Sequence, residues 1–372
     1  MIPYILLIVI PALFQFVSIK TVKKKRVLVV GNAPDIYENN FVLPVFFFIL
    51  LLLLVLRDES IGRDLSNYKY LFNYFESCGI DKIWEYDLEI LYKLLNRIIS
   101  QFTSSFQIFI GIVACLCVIP VALFYCQDRK HGMLKILLFV DLSTFVVMFS
   151  GLRQSIAVAF GIIAYQFVRK KKLIPFLVTV LVAFGFHQSA LILFAMYPLY
   201  HVTLRKKHLL IIVPAMMSVF VFNRPLFSFL LGIMGQYSDK YVGETISPTG
   251  AFGVLILFAL YAIFACVIPD ETRMTREDIG LRNIMMLIVC IQCFAPLHSL
   301  AMRMNYYFLM FIPILMGRVL DIPQARYRQV AKFAEFVLIV FFLYEYVSSI
   351  YNSYLTGVSA LDTVPYMPFW SE

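Results

Sequence analysis

Arg57, Arg153, His187 and Arg303 lie in or beside strongly apolar runs, where an ionisable side chain is costly and asks for a reason, and Asp64 and Glu89 lie in the more polar stretch that follows Arg57. Arginine is a planar five-donor fork suited to carboxylate or phosphate oxygens, and an imidazole or carboxylate can take a proton from a hydroxyl. The segment Arg57-Asp58-Glu59-Ser60-Ile61-Gly62-Arg63-Asp64-Leu65-Ser66-Asn67-Tyr68 follows an apolar run. Gly62 permits a turn that brings backbone close to a ligand, flanked by Arg57 and Asp64. Local pairing of these charges at a solvated helix exit is the alternative. Glu89 lies in Trp84-Glu85-Tyr86-Asp87-Leu88-Glu89-Ile90-Leu91-Tyr92, an amphipathic stretch expected along the membrane surface. Its Trp, Tyr and carboxylate mixture suits a sugar, although interfacial aromatics also serve lipid contact alone.

Gly151-Leu152-Arg153-Gln154-Ser155 joins two apolar runs with scarcely a loop. With no acidic neighbour in sequence, Arg153 needs a buried carboxylate or an anionic ligand, unless it snorkels to the interface. Phe186-His187-Gln188-Ser189-Ala190 puts an imidazole in apolar surroundings. It is either a packing residue or a base, since free imidazole titrates near 6.5. Arg303 opens a further apolar run in Ala301-Met302-Arg303-Met304-Asn305-Tyr306-Tyr307, and His298 precedes it. Asp141 and Glu345, also in apolar runs, read as structural residues.

The elements that must hold these residues are membrane helices. Of 372 residues, 61% are hydrophobic and 15% charged, with a mean hydropathy of +0.82. A soluble chain needs about 25% charged residues to cover its surface. The sequence therefore reads as a polytopic membrane protein, not a secreted domain, a cytosolic enzyme or a nucleic-acid module. The net charge of +9 resides largely in short basic clusters such as Arg169-Lys170-Lys171-Lys172 and Arg205-Lys206-Lys207, which read as cytoplasmic anchors meeting anionic lipid. The seven cysteines fall largely in apolar runs and read as buried thiols rather than metal ligands or a disulfide framework.

Ile2 to Ile19 lacks a preceding basic residue and reads as a retained first helix with its N-terminus outside, not a cleavable signal. Further spans are expected from near Phe41, Phe106, Leu134, Leu152, Leu173, Gln188, Leu209, Ala251, Asn283, Met304 and Ala331, about twelve in all. Leu173 to Tyr200 is too long for one crossing and short for two, and reads as a tight hairpin with His187 near its outer tip. On this topology most Lys and Arg fall inside. Arg57, Arg153, His187, His298 and Arg303 gather at the outer face. The expected organisation is one integral membrane domain, with 57–105 as a large outer loop and 351–372 as an outer tail. No inverted repeat, Gly-rich phosphate loop, HExxH pair or nucleophile elbow occurs.

In order, Arg57-x4-Gly62-x-Asp64-x3-Tyr68, Glu89, Gly151-Leu152-Arg153-Gln154, Phe186-His187-Gln188-Ser189-Ala190, Arg303 before Tyr306-Tyr307, and the tail Pro365-Tyr366 resemble the EpsG family of Wzy-like bacterial polysaccharide polymerases. The resemblance runs from the second apolar run to the end. The stretch Ser228 to Gly250, with Tyr237 and Tyr241, carries no assigned role. The resemblance implies a GT-C-like all-α fold in the inner membrane. It also implies transfer of a growing glycan from undecaprenyl pyrophosphate to a hydroxyl of the next lipid-linked repeat unit. On that reading His187, Asp64 and Glu89 are the catalytic candidates, with His187 first as general base. Arg153, Arg57 and Arg303 bind pyrophosphate, and Gly62, Tyr68, Gln154 and Gln188 bind substrate. No metal or cofactor is expected. The expected partners are the lipid-linked donor and acceptor, membrane lipids and a chain-length regulator protein, with no nucleic acid. A lipid-linked oligosaccharide flippase or exporter stays open, as does a ligase that moves finished glycan onto lipid A core. A membrane acyltransferase fits poorly, because His187 would face away from a cytosolic acyl donor.

Overall fold

The computed structural model describes residues 1–26, 41–142, 144–234 and 248–371, so Tyr237 and Tyr241 lie outside the described residues. In chain order the helices are α1 (Ile2–Arg26), α2 (Val42–Leu56), α3 (Leu65–Ser77), α4 (Ile90–Ser100), α5 (Phe106–Tyr125), α6 (Gly132–Asp141), α7 (Thr144–Ser150), α8 (Leu152–Arg169) and α9 (Leu173–Phe186). They continue as α10 (Met196–His201), α11 (Leu209–Val221), α12 (Asn223–Met234), α13 (Pro248–Val267), α14 (Arg276–Gln292), α15 (Ser299–Leu309), α16 (Ile312–Asp321) and α17 (Arg328–Thr356). Two isolated bridges, Arg57 with Pro368 and Pro269 with Pro323, are the β-structure among the described residues. The protein is all-α.

The expectation of about twelve spans and a GT-C-like arrangement is corrected. Among the described residues, three helical segments are long and apolar enough to cross a membrane: Phe106–Tyr125, Gly250–Val267 and Ala325–Thr356. The number rises to six if each bent pair counts as one span: α6 with α7 at 52°, α11 with α12 at 77°, and α15 with α16 at 45°. Apolar run length overstated the spans because it does not register breaks. The run from Phe41 yields a helix of 15 residues, about 22 Å long, which stops at Arg57. The run from Leu173 stops at Phe186 and continues as a 3-10 turn and a short helix, not a second full crossing. Pro313, at the start of α16, cannot donate the hydrogen bond that would continue α15. Arg153, Gln154, Gln166 and Arg169 make α8 too polar to count as a long apolar helix.

The chain divides into two compact units. The first comprises 1–167, 174–191 and 335–372. There α2 packs on α1, α5 and α6, and α3 packs on α4. Edge-on aromatic contacts among Phe46, Phe47, Tyr125 and Phe139 fill the space between α2, α5 and α6. The stretch expected to lie on the membrane surface becomes helical only from Ile90. Glu89 is left at the N-cap of α4, whose Tyr92, Lys93, Asn96 and Ile99 are buried.

The second unit comprises 168–173 and 192–334, with α14 packed on α10, α13, α15 and α16. Thr275 caps α14 reciprocally with Asp278. Arg169 and Arg318 both pair with Glu277, at 3.1 and 3.0 Å, and Arg318 also reaches Asp278 at 2.8 Å.

Candidate functional site

Within the first unit, α2 gives way to extended backbone at Arg57. Asp58 closes the following turn by accepting from the Ser60 amide at 2.9 Å and its hydroxyl at 2.7 Å. Gly62 then takes φ +116°, and a Cβ there would lie 2.2 Å from the Phe149 carbonyl oxygen. The fully buried Arg57 donates through Nη1 to that same carbonyl at 2.5 Å, and its guanidinium lies 5.2 Å from the Phe149 ring centre. Ser150 Oγ donates to Asp64 Oδ2 at 3.0 Å and accepts from the Asp64 amide at 3.1 Å. Arg57, Gly62 and Asp64 thus all grip Phe149 and Ser150, the last turn of α7.

The C-terminal tail holds this turn from another side. The amides of Asp58, Gly62 and Arg63 donate to the carbonyls of Met367, Asp362 and Leu361 at 2.8, 3.0 and 2.9 Å. The Tyr366 hydroxyl donates to the Leu53 carbonyl at 3.0 Å.

Gly151 ends α7, and α8 starts at Leu152, so the gripped turn aims the first turn of α8. Arg153 Nη1 donates to Glu89 Oε2 at 2.5 Å. Glu89 Oε1 meets His187 Nδ1 at 3.1 Å and accepts from the Gln188 amide at 3.3 Å. Tyr68, buried against Tyr92, hydrogen-bonds the Arg153 guanidinium. The structure therefore brings Arg153, Glu89, His187, Gln188 and Tyr68 together, and of the two partners Arg153 required it supplies the buried carboxylate. Gln154 is buried on α8. Arg303 lies half-buried on α15 of the second unit, and His298 caps that helix by accepting from the Leu300 amide at 3.0 Å.

Burial pushes the Glu89 carboxyl upward. The His187 hydrogen bond and the Arg153 charge outweigh it and hold the group at about 2. Glu89 is therefore an ionised, acceptor-only group, and His187 must donate to it through Nδ1. That tautomer leaves the lone pair of Nε2 available as a base. Arg153 Nε is buried with no protein partner. A groove of about 530 Å³ runs beside the cluster, lined by Glu89 and Gln188 and by Leu91, Val178, Leu181 and Phe184. An imidazole base, a fixed guanidinium and an adjoining apolar groove suit transfer chemistry on an anionic amphiphile. Among the described residues no group of three or more His, Cys, Asp or Glu is arranged to hold a metal ion.

The EpsG family profile matches residues 40–366. The chain belongs to the EpsG family. That span takes in every residue of the cluster and the tail as far as Tyr366. No curated protein and no solved structure matches this EpsG-family chain, so no structural likeness supports a GT-C arrangement. Sequence reasoning missed Ser150 and the pairing of the tail with 58–63. A serine beside Gly151 was the visible signal for Ser150, whereas backbone pairing between residues about 300 positions apart leaves no trace in one sequence.

Proposed function

We propose that this protein is a metal-independent membrane glycosyltransferase that polymerises undecaprenyl-pyrophosphate-linked oligosaccharide repeat units. It would work at the outer face of a bacterial inner membrane, with 57–105 and the C-terminal tail on that side. Family membership supports the reaction class. The observation that carries the reading is that one ionised carboxylate, Glu89, holds both the Arg153 guanidinium and the His187 imidazole.

In this reading His187 Nε2 takes the proton of the acceptor hydroxyl as its oxygen attacks the anomeric carbon of the donor. The bond from that carbon to the pyrophosphate oxygen breaks, and the electron pair leaves with the lipid pyrophosphate. Charge grows on that oxygen in the transition state, so a fixed guanidinium lowers the barrier as well as binding the donor. Beyond its bond to Glu89 the Arg153 side chain stays part-exposed, which leaves the guanidinium able to meet a phosphate oxygen. Glu89 orients both groups and is too weak a base to take the proton itself. Arg57, Gly62 and Asp64 act as positioning residues, because their polar groups or backbone are committed to the end of α7. Tyr68 and Gln188 complete the cluster, and Gln154 follows Arg153 on α8. The partners are the lipid-linked donor and acceptor, the surrounding lipid and a chain-length regulator.

The test is reconstitution of purified protein in nanodiscs with a synthetic undecaprenyl-pyrophosphate-linked repeat unit. Longer glycans should appear together with one released undecaprenyl pyrophosphate per bond formed. His187→Ala should slow both by about 100-fold or more while the protein stays folded. Undiminished rates from His187→Ala would reduce the imidazole to packing.

A further inference from the structure

The turn that leads into Glu89 carries an exposed indole with a buried cation behind it. Trp84 is 62% exposed and Lys93 only 5%, and the Lys93 ammonium stands 5.9 Å from the centre of the Trp84 ring. That ammonium also donates to the Tyr86 carbonyl at 3.0 Å, which ties it to the same turn. Local packing fixes the rest. The Glu85 and Leu88 amides donate to the carbonyls of Lys82 and Tyr86 at 3.2 and 2.9 Å, and Ile83 is buried. The Tyr86 ring packs on Tyr74 and Phe75, with centres 5.2 and 5.8 Å apart. The indole is thus held from the protein side by a cation–π contact and is open on the other.

Its neighbours decide what such a ring suits. An indole that anchors a chain in the headgroup layer keeps company with apolar side chains and with Lys or Arg. Trp84 is flanked in the chain by exposed Lys82, Glu85 and Asp87, two of them carboxylates that an anionic lipid surface repels. Ile98 and Phe102, exposed apolar side chains of the same loop, sit at and beyond the other end of α4. A sugar matches both features of the turn. The C–H face of a pyranose packs on the negative face of the ring, and carboxylates accept from its hydroxyls.

This surface runs into the candidate site without a barrier. Asp87 is exposed, and the next two residues, Leu88 and Glu89, line the groove that also holds Gln188. Lys93 follows Glu89 by one helical turn, about 6 Å in rise, on the same side of α4. Trp84 and the Glu89–His187 pair therefore lie within reach of one oligosaccharide.

We propose that the Trp84 indole, backed by Lys93, is a stacking platform for a sugar of the oligosaccharide a few units away from the reacting one. The assignment rests on the glycosyl-transfer reading above and adds a hold on the glycan separate from the pyrophosphate contacts. A remote contact of this kind is present in ground and transition states alike, so its loss raises KM and spares kcat.

The chain has two tryptophans, Trp84 and Trp370, so Trp370→Phe makes the emission a reporter of Trp84 alone. The full chain with that change goes into liposomes, and the probe is the producing cell's own glycan, freed from its carrier lipid by mild acid. Titration should change the Trp84 emission to saturation, while brominated phosphatidylcholine in the bilayer should quench it little. Trp84→Ala should raise KM for the lipid-linked repeat unit roughly fivefold with kcat unchanged, and Trp84→Phe should recover most of the loss. Strong quenching by the brominated lipid with no response to glycan would make Trp84 a membrane anchor and overturn the platform. An unchanged KM in Trp84→Ala would overturn it too. Either result leaves the transfer reading standing wherever undecaprenyl pyrophosphate is still released. A saturable Trp84 response from a protein that releases none would support the platform and overturn the transfer reading.

Discussion

Glu89 Oε1 and His187 Nδ1 stand 3.1 Å apart, although 98 residues separate them, and the other oxygen of the same carboxylate carries Arg153. Three helix ends make this junction: the N-cap of α4, the first turn of α8 and the residue after α9. One ionised group thereby fixes a base and a cation, so its removal should disturb both at once.

Glu89→Gln keeps the shape and removes the charge. Arg153 is left without its counter-charge in a largely buried setting, which should cost roughly 3 kcal/mol of stability. His187 loses the anion that sets its tautomer, and polymerisation should fall by about 100-fold or more. Thermal unfolding in detergent and turnover at matched folded protein measure the two effects separately.

The same residue gives a pH dependence with a definite sign. Its folded carboxyl lies at about 2, below the ordinary glutamate value near 4.3. The stabilisation it contributes is therefore complete above the ordinary value and disappears as pH falls through the folded one. The stability gap between wild type and Glu89→Gln should be fully open just above about pH 4.5 and close between about pH 4.5 and 2. A gap that stays constant down to pH 2 would show that Glu89 is not held ionised by its partners.

Arg153 and His187 were legible because a charge or imidazole in an apolar run is expensive, and Glu89 because its amphipathic stretch mixes carboxylates with Trp and Tyr. Their mutual contact was not legible, since each lies on a different helix end. Arg57 and Asp64 stood out as the charges flanking the Gly62 turn, but nothing in the sequence distinguished a ligand-facing charge from one spent on the carbonyl of Phe149 or the hydroxyl of Ser150. The all-helical character followed from composition. The span count did not, because an apolar run looks alike whether it forms one helix or breaks, as at Gly151, His187 and Pro313.

Gly62→Ala tests the grip on α7. The added methyl meets the Phe149 carbonyl, and φ +116° is strained for any side chain, so the turn must move. The expected stability loss is about 1–3 kcal/mol. Polymerisation should fall further than Ser150→Ala makes it, because Ser150→Ala removes two hydrogen bonds to Asp64, each worth about 1 kcal/mol, but adds no clash. Equal activity in Gly62→Ala and wild type would detach this turn from the aim of Arg153.

The central claim is that Arg153 grips the donor pyrophosphate while Glu89 holds it in place, and glycan gels from Arg153→Lys at matched protein level test it most directly. Lysine keeps the charge and loses the planar fork that presents two donors to two phosphate oxygens. The account predicts that Arg153→Lys fails nearly as badly as Arg153→Ala, with long glycan lost, lipid-linked single repeat units accumulating and membrane insertion intact. Full-length ladders from Arg153→Lys would contradict it and leave Arg153 as an interfacial charge.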